Sequence, residues 1–135
     1  MAWMLDTNIC IYIIKQKPEK VLNHFKNIAP GEIYLSSITL AELEYGVRKS
    51  KYPKRNLEAL NNFLIPLIIV PFDIEQARDY GFVRAALELK GSPIGPLDNL
   101  ITAHAKSLGC ILVTNNEKEF GRVEDGLQIE NWAKD

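Results

Sequence analysis

Short apolar runs alternate with longer amphipathic stretches along this chain, and that alternation constrains its fold more than any other feature. Trp3-Met4-Leu5 reads as a first strand, followed at once by a helical stretch through Ile9 to Lys15. Pro18 suits the first turn of a helix running to about Ile28. Glu32 to Ser36 reads as a second strand after the Pro30-Gly31 turn, with a helix start near Thr39. Leu40, Leu43 and Val47 mark one face of that helix, which ends near Lys49. Pro53 opens another, carrying Leu57, Leu60 and Leu64 toward Pro66. Leu67 to Val70 is a third strand, fully apolar and so expected to be buried on both faces. Asp73 can cap a long helix to about Lys90, broken by Gly91 and Pro93. Pro96 starts the next, with Leu97, Leu100, Ile101 and Leu108 on one side. Ile111 to Thr114 is a fourth strand, and Gln128 to Glu130 a short fifth at the edge.

Strands that alternate with helices long enough to be crossovers predict an α/β fold with a mostly parallel sheet of four to five strands and helices on both faces. No linker, repeat or low-complexity tract divides the 135 residues, so one domain spanning 1–135 is expected. Each crossover helix in such a sheet starts near the strands' carboxyl edge. Ligands bind there, where strand order reverses.

Composition removes several classes of function. The longest apolar run, Phe63 to Phe72, is interrupted by Pro66 and Pro71 and is too short for a bilayer. The N-terminus does not read as a secretory signal, so a cytoplasmic protein is expected. Cys10 and Cys110 lie in apolar stretches outside any C-x-x-C pair and read as reduced, buried side chains. Net charge is −1, which draws no nucleic acid by itself; with four clustered acids set aside, the remainder carries +3.

Acids recur at the predicted carboxyl edge. Asp6 follows the first strand, and Glu42 and Asp98 fall in the first turns of two helices. Asn115, Asn116 and Glu119 follow the fourth strand. Carboxylates that converge repel one another unless a cation lies between them. Oxygen ligands without His or Cys favour Mg²⁺, with Mn²⁺ as a substitute. Such an ion can generate hydroxide from water and stabilise charge on an attacked phosphate.

Each acid also has an ordinary reading. Asp6 can cap the following helix, and Thr39-Leu40-Ala41-Glu42 fits a capping box. Asp98 suits a helix N-terminus, and Glu119 can be solvated. Their coincidence at one edge favours a site, although periodicity does not choose Glu42 over Glu44. His104 falls on the apolar side of its helix and reads as a core histidine, whereas His24 signals nothing. Lys49, Lys51, Lys54 and Arg55 surround a helix–helix turn that suits either a polyanion or plain solvent.

The same segments resemble the PIN-domain family, and within it the VapC toxins of VapBC toxin–antitoxin systems. The resemblance runs from Met4-Leu5-Asp6-Thr7-Asn8 to Glu130-Asn131-Trp132. Between them lie Ser36-Ser37-Ile38-Thr39-Leu40-Ala41-Glu42-Leu43 with Tyr45-Gly46, then Pro93-Ile94-Gly95-Pro96-Leu97-Asp98, then Val113-Thr114-Asn115-Asn116-Glu117-Lys118-Glu119-Phe120. One such motif is weak; four in order are specific. The resemblance implies a PIN-like three-layer α/β/α sandwich and places the family's three constant acids on Asp6, Glu42 and Asp98. Asn116 stands where many relatives carry Asp, so the fourth acidic role falls to Glu119 or to Asn116. Glu119 is taken to complete the pocket while Asn116 orients a ligand. Asp6 and Asp98 are implied metal ligands, with Thr7, Asn8 and Thr114 holding the carboxylates by hydrogen bonds.

The implied activity is Mg²⁺-dependent hydrolysis of RNA by in-line attack of water that Glu42 helps to orient or deprotonate, leaving a 5′-phosphate and a 3′-hydroxyl. Transfer RNA, the initiator anticodon stem-loop in particular, is the implied substrate. A VapB-type antitoxin and a homodimer are the implied partners. A free-standing PIN nuclease is the alternative, as is a PIN fold that only binds. A receiver-like phospho-switch would use Asp73 and Thr114, but Asp6 has no paired acid and no lysine lies in Gln128 to Trp132.

Overall fold

The structure is a computed structural model that describes residues 2–123 and 126–134. Its strands are β1 (Trp3–Leu5), β2 (Ile33–Ser36), β3 (Ile68–Val70), β4 (Ile111–Val113) and β5 (Gln128–Glu130). The helices are α1 (Thr7–Lys15), α2 (Glu19–Lys26), α3 (Ser37–Arg48), α4 (Pro53–Leu64), α5 (Ile74–Leu89), α6 (Pro96–Leu108) and α7 (Glu117–Phe120). One wholly parallel five-stranded sheet runs in the order β3-β2-β1-β4-β5.

That order follows from the crossovers. The chain steps outward from β1 through β2 to β3, then returns by α5 and α6 to place β4 on the other side of β1. Strand order therefore reverses between β1 and β4, and the crevice belongs at their carboxyl ends. Alternation along the strands separates two cores. Leu5, Ile33, Leu35 and Val113 pack with α1 to α4. Met4 and Leu112 pack with Ile101 and Ala105 of α6 and with Phe120. This is the three-layer sandwich the sequence leads one to expect.

Several local expectations change. β3 is an edge strand, with Ile68 and Ile69 each 42% exposed. Its apolar run reflects the β-branched chemistry of strands rather than burial on both faces. In α6, Leu97 and Leu108 are exposed; the middle of the helix, Ile101 to Ala105, is buried all round, because it is enclosed on every side rather than along one stripe. Pro18 stands at the N-cap of α2 rather than inside its first turn, and α2 ends at Lys26. The helix expected near Thr39 begins at Ser37, with Ser36 as its cap. Asp73 does cap α5, in a reciprocal box with Gln76. Cys10 and Cys110 are free and buried. Among the described residues no helix is long and apolar enough to cross a membrane.

Candidate active site

Asp6 closes β1 and opens α1. Its backbone N–H donates to the Val113 carbonyl at 3.0 Å, continuing the sheet by one bond. Its carboxylate accepts from the Ile9 N–H at 2.9 Å, capping α1, and from the Thr114 hydroxyl. Capping and site are thus one side chain, since a carboxylate offers about four acceptor positions. Burial raises its pKa, against the lowering effect of those two hydrogen bonds. Thr114 accepts in turn from the Asn116 N–H at 3.0 Å.

Asp98 enters from the first turn of α6, behind Pro96. Its carboxyl is pushed up to about 7, first by burial, then by its hydrogen bond to Glu119 and the charges of Glu119 and Asp6. Glu119 is held below its ordinary range, chiefly by the Gly95 N–H, which donates to Oε1 at 2.5 Å. Asn116 Nδ2 donates to Oε2 at 2.8 Å. The two carboxylates share a site and titrate as a pair, with Asp98 raised and Glu119 lowered by the hydrogen bond between them.

Glu42 lies in the second turn of α3, not the first, because Ser36 caps the helix earlier than expected. Thr39 is then inside the helix, so the capping box at Thr39 does not exist and the ordinary reading of Glu42 is lost. Asp6, Glu42 and Asp98, with Thr7, Asn8 and Thr39, line one cavity of about 240 Å³. The buried Thr39 hydroxyl has no partner among the described residues.

Other sequence candidates adjoin the cavity without lining it. Glu119 hydrogen-bonds to Asp98 and to the Gly95 N–H at the start of α6, Asn116 donates to Glu119, and Thr114 holds Asp6. Thr7 and Asn8 line the cavity, but among the described residues neither side chain bonds a carboxylate. His104 is buried, and its Nδ1 lies 2.7 Å from Ser36 Oγ, the cap of α3. Burial lowers its pKa. Sequence reasoning missed Ser36 and Gly95, whose signals are only a serine before a helix and a glycine before Pro96. It also missed that His24 stacks on Trp132, 5.4 Å between centroids.

The PIN domain family matches residues 3–126. This chain belongs to the PIN-domain family. Among its relatives, this PIN domain is 45% identical over 133 residues to the tRNA(fMet)-specific endonuclease VapC of Shigella flexneri, covering 98% of this chain and 99% of that one. It is 46% identical over 135 residues to ribonuclease VapC2 of Rickettsia felis, covering 99% and 100%. Its backbone matches a chain in the crystal structure of DNA-bound VapBC from Salmonella typhimurium with a TM-score of 0.90 at 45% identity, covering 98% of each. Within the PIN family it therefore belongs with the VapC ribonucleases.

Proposed function

We propose that this PIN domain is a divalent-metal-dependent endoribonuclease, the cytoplasmic toxin of a toxin–antitoxin pair, with Asp6, Glu42 and Asp98 in the reaction. The observation that carries this reading is that the three acids line one cavity at the carboxyl edge where strand order reverses. Relatives named VapC endonucleases and ribonucleases, at 45–46% identity over nearly the whole chain, support it.

The donor set fits Mg²⁺ or Mn²⁺. Its donors are all oxygen, and the charges of Glu119 and Asp6 help to raise Asp98, a repulsion that a cation would relieve. Asp6 and Asp98 would hold the ion directly, since Mg²⁺ keeps several waters and takes only one or two carboxylates; among the described residues no three of His, Cys, Asp or Glu form a full ligand group. When bound, the ion would supply an electrophile for the phosphate and acidify water. Glu42 helps to orient or deprotonate the attacking water, and solvent protonates the leaving 3′-oxygen. Thr114 and the Ile9 N–H hold Asp6, while Glu119 and Gly95 hold the start of α6 and with it Asp98. The products are then a 5′-phosphate and a 3′-hydroxyl.

Transfer RNA is the substrate this reading favours, as the Shigella relative is named a tRNA(fMet)-specific endonuclease, and the initiator anticodon stem-loop is the first RNA to try. The solved VapBC complexes support a VapB-type antitoxin as partner, and a homodimer belongs to the same reading. The test is cleavage of purified transfer RNA with Mg²⁺, Mn²⁺ or chelator. Asp6→Asn and Asp98→Asn should abolish cleavage while the fold persists and metal-free stability holds or rises. Full activity of either variant at ordinary Mg²⁺ overturns the site.

A further inference from the structure

The densest run of one charge in the chain is the turn between α3 and α4, where Arg48, Lys49, Lys51, Lys54 and Arg55 occur without an acid in a chain of net charge −1. Two tyrosines stand among these cations. Tyr45 is 60% exposed and Tyr52 51% exposed. Lys49 Nζ lies 4.9 Å from the Tyr45 ring centroid, and Arg55 and Lys51 lie 4.7 and 5.6 Å from that of Tyr52. Among the described residues none of these five cations pairs with a carboxylate. A turn that needed only solubility would not expose two aromatic rings.

The patch is braced and aimed. Ser50 Oγ donates to the Val47 carbonyl at 2.6 Å and accepts from Asn56 Nδ2 at 2.9 Å, and the Asn56 N–H closes on the Tyr52 carbonyl at 3.0 Å. Along α3, Ile38, Glu42, Tyr45 and Lys49 recur at spacings that share a face. The first two line the acidic cavity, so Lys49 follows Glu42 by about 10 Å of helix rise. A polyanion repelled by the acids must be drawn to them by positive charge nearby. A partner built to neutralise those acids carries positive charge, which this turn repels.

We propose that Tyr45 and Tyr52, with Lys49, Lys51, Lys54 and Arg55, form the surface that docks a single-stranded segment of the RNA substrate. Unpaired bases stack on the tyrosine faces, and phosphates lie on the cations. This rests on the ribonuclease reading above.

The test compares cleavage of bulk transfer RNA and of the initiator anticodon stem-loop in Mg²⁺. Replacing both Tyr45→Leu and Tyr52→Leu should raise KM about tenfold or more with kcat within about twofold, and the paired Phe replacements should restore KM. Replacing Lys49, Lys51, Lys54 and Arg55 by Gln should raise KM and flatten its log–log salt dependence by about three units. Thermal midpoints should not move; if the double variant is unstable, Tyr45→Leu alone carries the test. An unchanged KM in a folded leucine variant, while the wild type cleaves, overturns the docking surface and leaves the ribonuclease reading intact. So does weakened binding of an antitoxin without a change in KM, which would mark a protein surface. If the wild type cleaves neither RNA, the ribonuclease reading fails and this inference with it.

Discussion

At the scale of single residues, the acidic cavity depends on where one proton resides. Asp98 has a folded pKa of about 7 against an ordinary 3.8. Below about pH 4 it is protonated whether the chain is folded or not. Between there and about 7 the folded state keeps a proton that the unfolded chain has shed, so Asp98 costs the metal-free protein stability as pH rises through that window. The melting temperature of Asp98→Asn minus that of the wild type should therefore widen from pH 4 to 7, and a constant gap would count against the shared proton. Half-saturating Mg²⁺ should fall through pH 7 as the ligand deprotonates. Glu119 acts one layer back, with both oxygens engaged. Glu119→Gln should lower kcat/KM about ten- to a hundredfold. The exposed Glu117→Gln and the off-cavity Glu44→Gln should stay within about twofold. If Glu119→Gln is as active as those two, Asn116 fills the fourth role alone.

At the scale of elements, α3 sets where Glu42 stands, and Ser36 sets where α3 begins. Its hydroxyl accepts from the Ile38 N–H at 3.1 Å and meets His104 Nδ1 of α6 at 2.7 Å, tying the helix that bears Glu42 to the one that bears Asp98. Ser36→Ala removes a cap and strands a buried ring nitrogen. It should cost about 2 kcal/mol in urea unfolding. A loss near zero would mean that neither bond contributes. The single helix start also explains which acid meets the cavity: beginning at Ser37 carries Glu42 onto the cavity wall, and Glu44, two positions on, is carried off it.

At the scale of the whole molecule, the acidic cavity adjoins a more apolar one of about 350 Å³ between α1, α3 and α4, and Thr7 and Glu42 line both. Leu43, Val47 and Leu60 form its walls. An amphipathic segment laid there could extend an arginine to the carboxylates, whose planar fork bridges two of them. The protein expressed alone should be toxic; expressed with its neighbouring gene, it should co-purify with the small protein encoded there. Changing that inhibitor's arginine to alanine should weaken inhibition about tenfold or more, and excess Mg²⁺ should compete with the inhibitor. A harmless chain without such a partner would favour a free-standing nuclease.

The sequence by itself determined the layer architecture, because strand and helix periods are local properties that survive without knowledge of neighbours. It also placed Asp6, Glu42 and Asp98 at the carboxyl edge, since crossover geometry sends every loop after a strand to the same side. Which strand is the edge was not legible: β3 and β4 are both short apolar runs, and only the return of α5 and α6 across the sheet leaves Ile68 and Ile69 uncovered while β4 is enclosed. Nor was the start of α3, because Ser36 and Thr39 are both good caps, and the contact that favours Ser36, its hydroxyl against His104 Nδ1, comes from 68 residues away. The braces behind Asp98 have the same origin. Gly95 and Glu119 are 24 residues apart, and the bond between a backbone N–H and a carboxylate exists only once β4 lies beside β1 and brings α7 against the start of α6. Local chemistry set the elements and the acids; contacts between distant segments decided which of those acids line the cavity and which hold another in place.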